Sequence, residues 1–116
     1  MNGLRVLALV LWAAISLPAQ AHAFLEHADP PVGARVNAAP GRLTLRFSQQ
    51  VEAAFSRIKV TDAKGKRVDK GDLHVEGPLM QVSLAMLGPG DYKVTWRVVS
   101  KDTHVTEGDF AFHVGP

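Results

Sequence analysis

The chain has 116 residues, a formal net charge of +2 and no cysteine. The absence of cysteine excludes disulfides, thiolate nucleophiles and cysteine-type zinc sites. Acidic and basic residues are interspersed, which argues against a surface that binds nucleic acid or an anionic membrane.

The first 21 residues have the pattern of an export signal. Arg5 supplies a positive charge, residues 4–17 are almost wholly apolar, and Pro18 ends the apolar run. This run is short for a membrane span, which needs about 20 apolar residues. We therefore expect residues 1–21 to be a signal peptide and residues 22–116 to form one small, unanchored periplasmic domain.

The cleavage position is ambiguous in the sequence. Residues 19–27 read "AQAHAFLEH" and contain two overlapping A-x-A sites, so the peptidase can cut after Ala21 or after Ala23. The first cut makes His22 the N-terminal residue of the mature protein, and the second makes it Phe24. The choice matters because an N-terminal histidine carries a metal-binding α-amino group beside its ring.

Apolar and polar residues alternate in five short runs of the expected domain. A period of two over about five residues predicts half-buried antiparallel strands. Pro- and Gly-rich segments between the runs predict turns, and only "SQQVEAAFS" suggests a helical turn. We expect an all-β, immunoglobulin-like Greek-key β-sandwich or barrel of about seven strands, with Trp96 as its large core residue. In chain order the runs are RLTLRFS, SRIKVTD, MQVSLAML, DYKVTWRVVS and GDFAFHV.

Asp102 and His104 are the first candidates for a metal site. One residue separates them, so both side chains would point the same way from an extended segment. Imidazole and carboxylate together suit a divalent ion, and imidazole suits copper or zinc. The pair alone is more typical of a turn aspartate beside a solvated histidine.

An N-terminal His22 favours the hypothesis that Asp102 and His104 bind a metal ion. It would chelate one ion through its α-amino group and its ring Nδ1, and the amino group, with a pKa of about 7.7–8.0, loses its proton readily at neutral pH. With His104 and Asp102 the set becomes three nitrogens and one oxygen, which suits tetragonal copper(II). This site requires the first strand to lie alongside the loop before the last strand, as antiparallel neighbours would.

The domain resembles the CopC family of periplasmic copper-binding proteins, including its stand-alone YobA-like members. The resemblance rests on "HAFLEHADPPVG", "LTLRFSQ" and "GDYKVTWRVVSKDTHVTEGDFAF". It implies an immunoglobulin-like sandwich or barrel that binds copper(II) tightly through the N-terminal histidine and the Asp and His of "DTH". These ligands fall on His22, Asp102 and His104. It also implies transfer of copper to a CopD-type membrane protein, here on a separate chain.

Two departures from the family narrow the expected chemistry. Some members bind copper(I) in a Met- and His-rich loop, whereas the matching region here has no methionine. We expect Met80 and Met86 to fill gaps in the core. Some members also place a glutamate after the "FS" pair near the copper. This chain has Gln49 there, and we expect the nearby Glu52 to be exposed to solvent.

The sequence also gives expectations for the other three histidines and for alternative functions. We expect His27 to face away from His22, and His74 and His113 to occupy outward strand positions. Two alternative functions stay open, a plain immunoglobulin-like interaction module and an N-terminal-histidine copper oxidase of polysaccharides. The anionic Asp102 and the scarcity of exposed aromatic residues argue against the enzyme. We expect a monomeric, non-enzymatic protein with copper(II) as its cofactor and no nucleic-acid partner.

Overall fold

Eight strands and one 3-10 turn carry the fold of residues 23–116, which are the residues that the computed structural model describes. The predicted signal segment, residues 1–21, and His22 lie outside these described residues. The strands in chain order are β1 (Leu25–Asp29), β2 (Arg35–Val36), β3 (Arg42–Phe47), β4 (Arg57–Asp62), β5 (His74–Glu76), β6 (Leu79–Ser83), β7 (Gly90–Val99) and β8 (Val105–Val114).

The strands form two four-stranded sheets. The first sheet has the order β1-β3-β6-β5 and is antiparallel throughout, and the second has the order β2-β8-β7-β4 with β2 and β8 parallel. This confirms the predicted all-β sandwich. The count exceeds the predicted seven by one. The five alternating runs in the sequence correspond to β3, β4, β6, β7 and β8, whereas β2 and β5 have only two and three residues, too few to show an alternating pattern. Within residues 23–116 no helix is long and apolar enough to cross a membrane.

The predicted alternation places the core correctly. Along β3 and β7 every second residue is buried, as the pleat of a strand requires when one face packs on a partner sheet. Phe47 of β3 and Trp96 of β7 meet edge to face with their ring centroids 5.1 Å apart, so the aromatic contact joins the two sheets. Trp96 is 8% exposed and is the large core residue that the sequence predicts.

The two methionines of the described chain have different environments. Met80 is fully buried in β6, as expected. Met86 is 98% exposed and follows the end of β6, so the expectation that it fills a core gap is wrong. The apolar run in the sequence continues past the strand into the connection with β7, where Leu84 and Leu87 are buried and Met86 faces solvent.

Gly108 provides the space that the Trp96 indole occupies. The two residues are directly opposite in the β7–β8 ladder. A Cβ atom added to Gly108 would lie 2.5 Å from Cζ2 of Trp96, closer than any real contact. The absence of a side chain at residue 108 is therefore a packing requirement of the core.

We predict that Gly108→Ala destabilises the domain by about 1–3 kcal/mol, because the indole must move within a packed core. Urea unfolding of the mature domain measures this loss. Gly41→Ala is the matched control, since a Cβ there meets nothing within 4 Å. Equal unfolding midpoints for the two variants would contradict the assignment.

Candidate metal centre

Asp102 and His104 lie in the tight loop that joins β7 to β8. The backbone N–H of Ser100 donates to the His104 carbonyl at 2.9 Å, and the N–H of Thr103 donates to the Ser100 carbonyl at 2.8 Å. These bonds close a hairpin loop of three residues, 101–103. The expectation of an extended Asp-Thr-His segment is wrong, because a turn brings the two side chains together.

The two predicted ligands are neighbours in space. Asp102 Oδ1 lies 3.4 Å from His104 Nδ1, and each side chain is about half exposed. Both groups are thus close enough to bind a single ion and open enough to receive one. The arrangement supplies one imidazole and one carboxylate from a short, doubly hydrogen-bonded loop.

The Asp102 carboxylate is stabilised in its charged form. The Ser100 hydroxyl donates a hydrogen bond to Asp102 Oδ1. This bond is the main cause that lowers the pKa of Asp102 below its ordinary value; desolvation opposes it, and His104 adds to the lowering. Asp102 is therefore a carboxylate at neutral pH, as a metal ligand must be.

Thr103 adopts a backbone conformation that its residue type disfavours. Its φ is +70°, and it is the one non-glycine residue with positive φ among residues 23–116. Three-residue hairpin loops place their last residue in this left-handed region, where glycine is usual and a β-branched residue is strained. The strain lies between the two candidate ligands.

The start of the described chain is bonded beside this loop. Ala23 is fully buried, and its carbonyl accepts a hydrogen bond of 2.7 Å from the Thr106 hydroxyl. Phe24 is held by its N–H to Ser48 Oγ at 2.9 Å and by its carbonyl to the Ser48 N–H at 2.8 Å. The residue that follows His22 in sequence is thus bonded two residues from His104.

This contact differs from the one expected. The strand that follows Ala23, β1, belongs to the first sheet, whereas β8 belongs to the second. β1 and β8 are therefore not antiparallel neighbours. Ala23, just before β1, contacts β8 across the end of the sandwich. Ala23 therefore reaches β8 by a different route from the one expected, and the position of His22 itself stays a prediction.

A second segment supports the loop from the other side. The N–H of Lys101 donates to the Gln50 carbonyl at 3.3 Å, and Lys101 Nζ lies 3.4 Å from Glu52 Oε2. The N–H of Glu52 donates to the Val99 carbonyl at 2.8 Å. The Glu52 side chain is 36% exposed and ion-paired, so it is less open to solvent than expected. The predicted helical turn in this region is the 3-10 turn Ala53–Phe55.

The remaining histidines do not join the pair. Within residues 23–116 no three His, Cys, Asp or Glu side chains are placed to hold one metal ion, so His27 is not a third partner of Asp102 and His104. His74 lies on β5, 3.6 Å from Glu76. His113 lies near the far end of β8, with Nδ1 2.7 Å from Asp91 Oδ1.

Ser100 is the site residue that the sequence reasoning missed. It is 1% exposed and contacts the carboxylate of Asp102 through its hydroxyl. A serine at the start of a turn commonly bonds to a backbone group a few residues later, as Ser100 does with the N–H of His104. The position of Ser100 just before the Asp-Thr-His segment could have indicated this role. In the sequence, however, Ser100 looks like the polar end of a strand.

Comparison with known proteins places this arrangement in a family. Residues 25–115 match the family model described as the CopC domain. The chain belongs to the CopC domain family. It is 37% identical to Protein YobA of Escherichia coli K12 over 112 residues, which cover 93% of this chain and 90% of that protein.

Two solved structures extend the likeness to the fold. CopC from Methylosinus trichosporium OB3b matches with a TM-score of 0.73 and 37% identity, covering 82% of this chain and 95% of that one. PcoC, a methionine-rich copper resistance protein from Escherichia coli, matches with a TM-score of 0.71 and 32% identity over 81% and 99% of the two chains. The family resemblance read from the sequence is confirmed.

The strain at Thr103 leads to a stability prediction. Thr103→Gly should leave the stability unchanged or raised, because relief of a left-handed conformation is worth about 1–2 kcal/mol and offsets the 0.5–1 kcal/mol entropic cost of glycine. Thr95→Gly is the control, since Thr95 is exposed in the middle of β7 and should lose about 1 kcal/mol. Equal losses in urea unfolding would show that Thr103 is unstrained.

Proposed function

We propose that this protein is a periplasmic copper(II)-binding protein of copper resistance and homeostasis. Its ligands are the α-amino group and ring Nδ1 of His22, the Asp102 carboxylate and the His104 imidazole. The observation that carries the proposal is the hydrogen bond from Thr106 to the Ala23 carbonyl, which holds the residue after His22 beside the Asp102–His104 loop.

The donor count supports a ligand from outside the described residues. Asp102 and His104 are two donors, and the described chain offers no third His, Cys, Asp or Glu to them. His22 is the next residue beyond Ala23. It would add two nitrogens at once and complete a set of three nitrogens and one oxygen.

The kind of donor favours copper(II) over copper(I). Copper(I) prefers thiolate and thioether ligands, whereas imidazole, amine and carboxylate suit copper(II). The chain has no cysteine, Met80 is buried in the core, and Met86 is the one exposed methionine among residues 23–116, outside the Asp102–His104 loop. The likeness to copper resistance proteins such as PcoC supports copper as the metal.

The environment of Ala23 supports cleavage after Ala21. A cut after Ala23 would remove a fully buried side chain and the carbonyl that satisfies the Thr106 hydroxyl. A cut after Ala21 leaves both in the domain and exposes the amino group of His22. Residues 22–116 are thus the mature protein in this proposal, and residues 1–21 are the signal peptide.

The proposed role is to hold copper(II) and to pass it to a CopD-type inner-membrane protein. A carboxylate ligand on a half-exposed loop keeps the ion accessible to a recipient. Phe24 and Val105, which flank the bonded pair Ala23–Thr106 in sequence, are 48% and 44% exposed and offer apolar contact area next to the ion. The protein acts as a monomer and catalyses no reaction.

We predict that one extra alanine before His22 lowers the copper(II) affinity of the mature protein by more than about 100-fold. The extension converts the α-amino group into an amide, and loss of a direct ligand should exceed the 10–100-fold effect typical of an outer-shell partner. Competition titration against a copper(II) chelator measures the affinity. An extra alanine after Pro116 is the control and should change nothing.

His104→Ala tests the other end of the site in the same assay. We expect a loss of similar size, while His74→Ala, on the exposed strand β5, should bind as the wild type does. If the N-terminally extended protein binds copper(II) as tightly as the native one, His22 is not a ligand and the proposed function fails.

We also predict that the exported protein begins at His22. Intact mass spectrometry of periplasmic protein reads the mature N-terminus directly. A chain that begins at Phe24 should be less stable by about 1 kcal/mol or more, because the Thr106 hydroxyl loses its partner and the core loses a buried side chain. Mature protein that starts at Phe24 and unfolds at the same urea concentration as protein that starts at His22 would contradict this prediction.

A further inference from the structure

Ser100 is one of two buried polar residues in residues 23–116, the other being Ser56. It lies at the junction of β7 with the loop and is 1% exposed. A buried hydroxyl is costly unless it is hydrogen-bonded, so its partners indicate why it is tolerated there. The hydroxyl of Ser100 bonds to Asp102 and His104 of the Asp-Thr-His segment.

Ser100 contacts every residue of that segment. Its hydroxyl donates to Asp102 Oδ1, and the same oxygen accepts the N–H of His104 at 3.3 Å. Its carbonyl accepts the N–H of Thr103 at 2.8 Å, and its own N–H donates to the His104 carbonyl at 2.9 Å. One buried residue therefore fixes both the loop backbone and one carboxylate oxygen.

The other buried serine, Ser56, has a different kind of hydrogen-bond partner. It is 7% exposed, and its hydroxyl oxygen accepts the N–H of Val99 at 3.1 Å. The bond supports the same strand one residue before Ser100, but its partner is a main-chain group. Both serines brace the end of β7, and the Asp102 carboxylate is bound by Ser100.

We propose that Ser100 is a positioning residue of the metal site. Its hydroxyl holds Asp102 Oδ1 and restricts rotation of the carboxylate, so that the group is already oriented when copper(II) arrives. Outer-shell partners of this kind typically contribute 10–100-fold to metal affinity. The inference rests on the proposed function, because it needs Asp102 to be a ligand.

The test is a double-mutant cycle on copper(II) affinity with mature protein that begins at His22. Ser100→Ala should weaken binding by about 10–100-fold. In an Asp102→Asn background the same change should have little further effect, because the carboxylate through which Ser100 acts is gone. The electron paramagnetic resonance spectrum of bound copper(II) should change in Ser100→Ala, as the carboxylate ligand reorients.

Ser56→Ala is the matched control for a loss of structural support. It removes a buried hydroxyl from the same region and should lower stability without a change in copper(II) affinity or spectrum. A second pair of variants covers the case in which Ser100→Ala fails to fold. Ser100→Thr and Ser100→Val have the same shape and differ in the hydroxyl, so Thr should bind copper(II) about 10-fold or more tightly than Val.

The outcomes separate the two proposals. If wild-type protein binds no copper(II), or if Asp102→Asn binds as tightly as wild type, the proposed site is wrong and the role of Ser100 fails with it. If Asp102→Asn weakens binding but Ser100→Ala does not, or does so equally in both backgrounds, the positioning role alone is overturned. Equal affinity of the Thr and Val variants would also overturn it.

Discussion

The hydrogen bond between the Thr106 hydroxyl and the Ala23 carbonyl is the contact on which the candidate site depends. It joins residues 83 positions apart and links the start of the first sheet to the start of β8 in the second. Ala23 is buried, so its carbonyl needs a protein partner in place of water. The same bond satisfies that need and fixes Ala23 at Thr106, two residues along the chain from His104.

The loop that carries Asp102 and His104 is held at both of its ends. The long β7–β8 ladder runs in register to Val99 and Val105, and it forms a rigid base for the loop. In the loop itself, Lys101 forms an ion pair with Glu52. The buried Ser100 hydroxyl hydrogen-bonds to Asp102 and His104. If Asp102 and His104 bind copper(II) as proposed, this base orients them before the ion binds, which favours high affinity.

The sequence predicted the fold well because the fold depends on a local pattern. Strict alternation along β3 and β7 determines which face is buried, whatever the neighbouring strands are. The loop was predicted less well because its geometry depends on hydrogen bonds between residues that share no periodicity. Asp102 and His104 do meet, but through a turn with Thr103 at positive φ. The roles of Ser100 and Glu52 depend on packing that becomes visible only in three dimensions.

The burial of Ala23 supports cleavage after Ala21, and this cleavage position has a consequence for the precursor protein. In the proposed site, two of the four donors belong to His22, and one of them is a nitrogen that exists as an amine only after a peptide bond has been cut. In this proposal that nitrogen is an amide before export, so the newly made chain would lack one donor for copper(II). Cleavage after Ala21 would then create the missing donor. Synthesis and metal capture would thus be separated in space by the cleavage of one peptide bond.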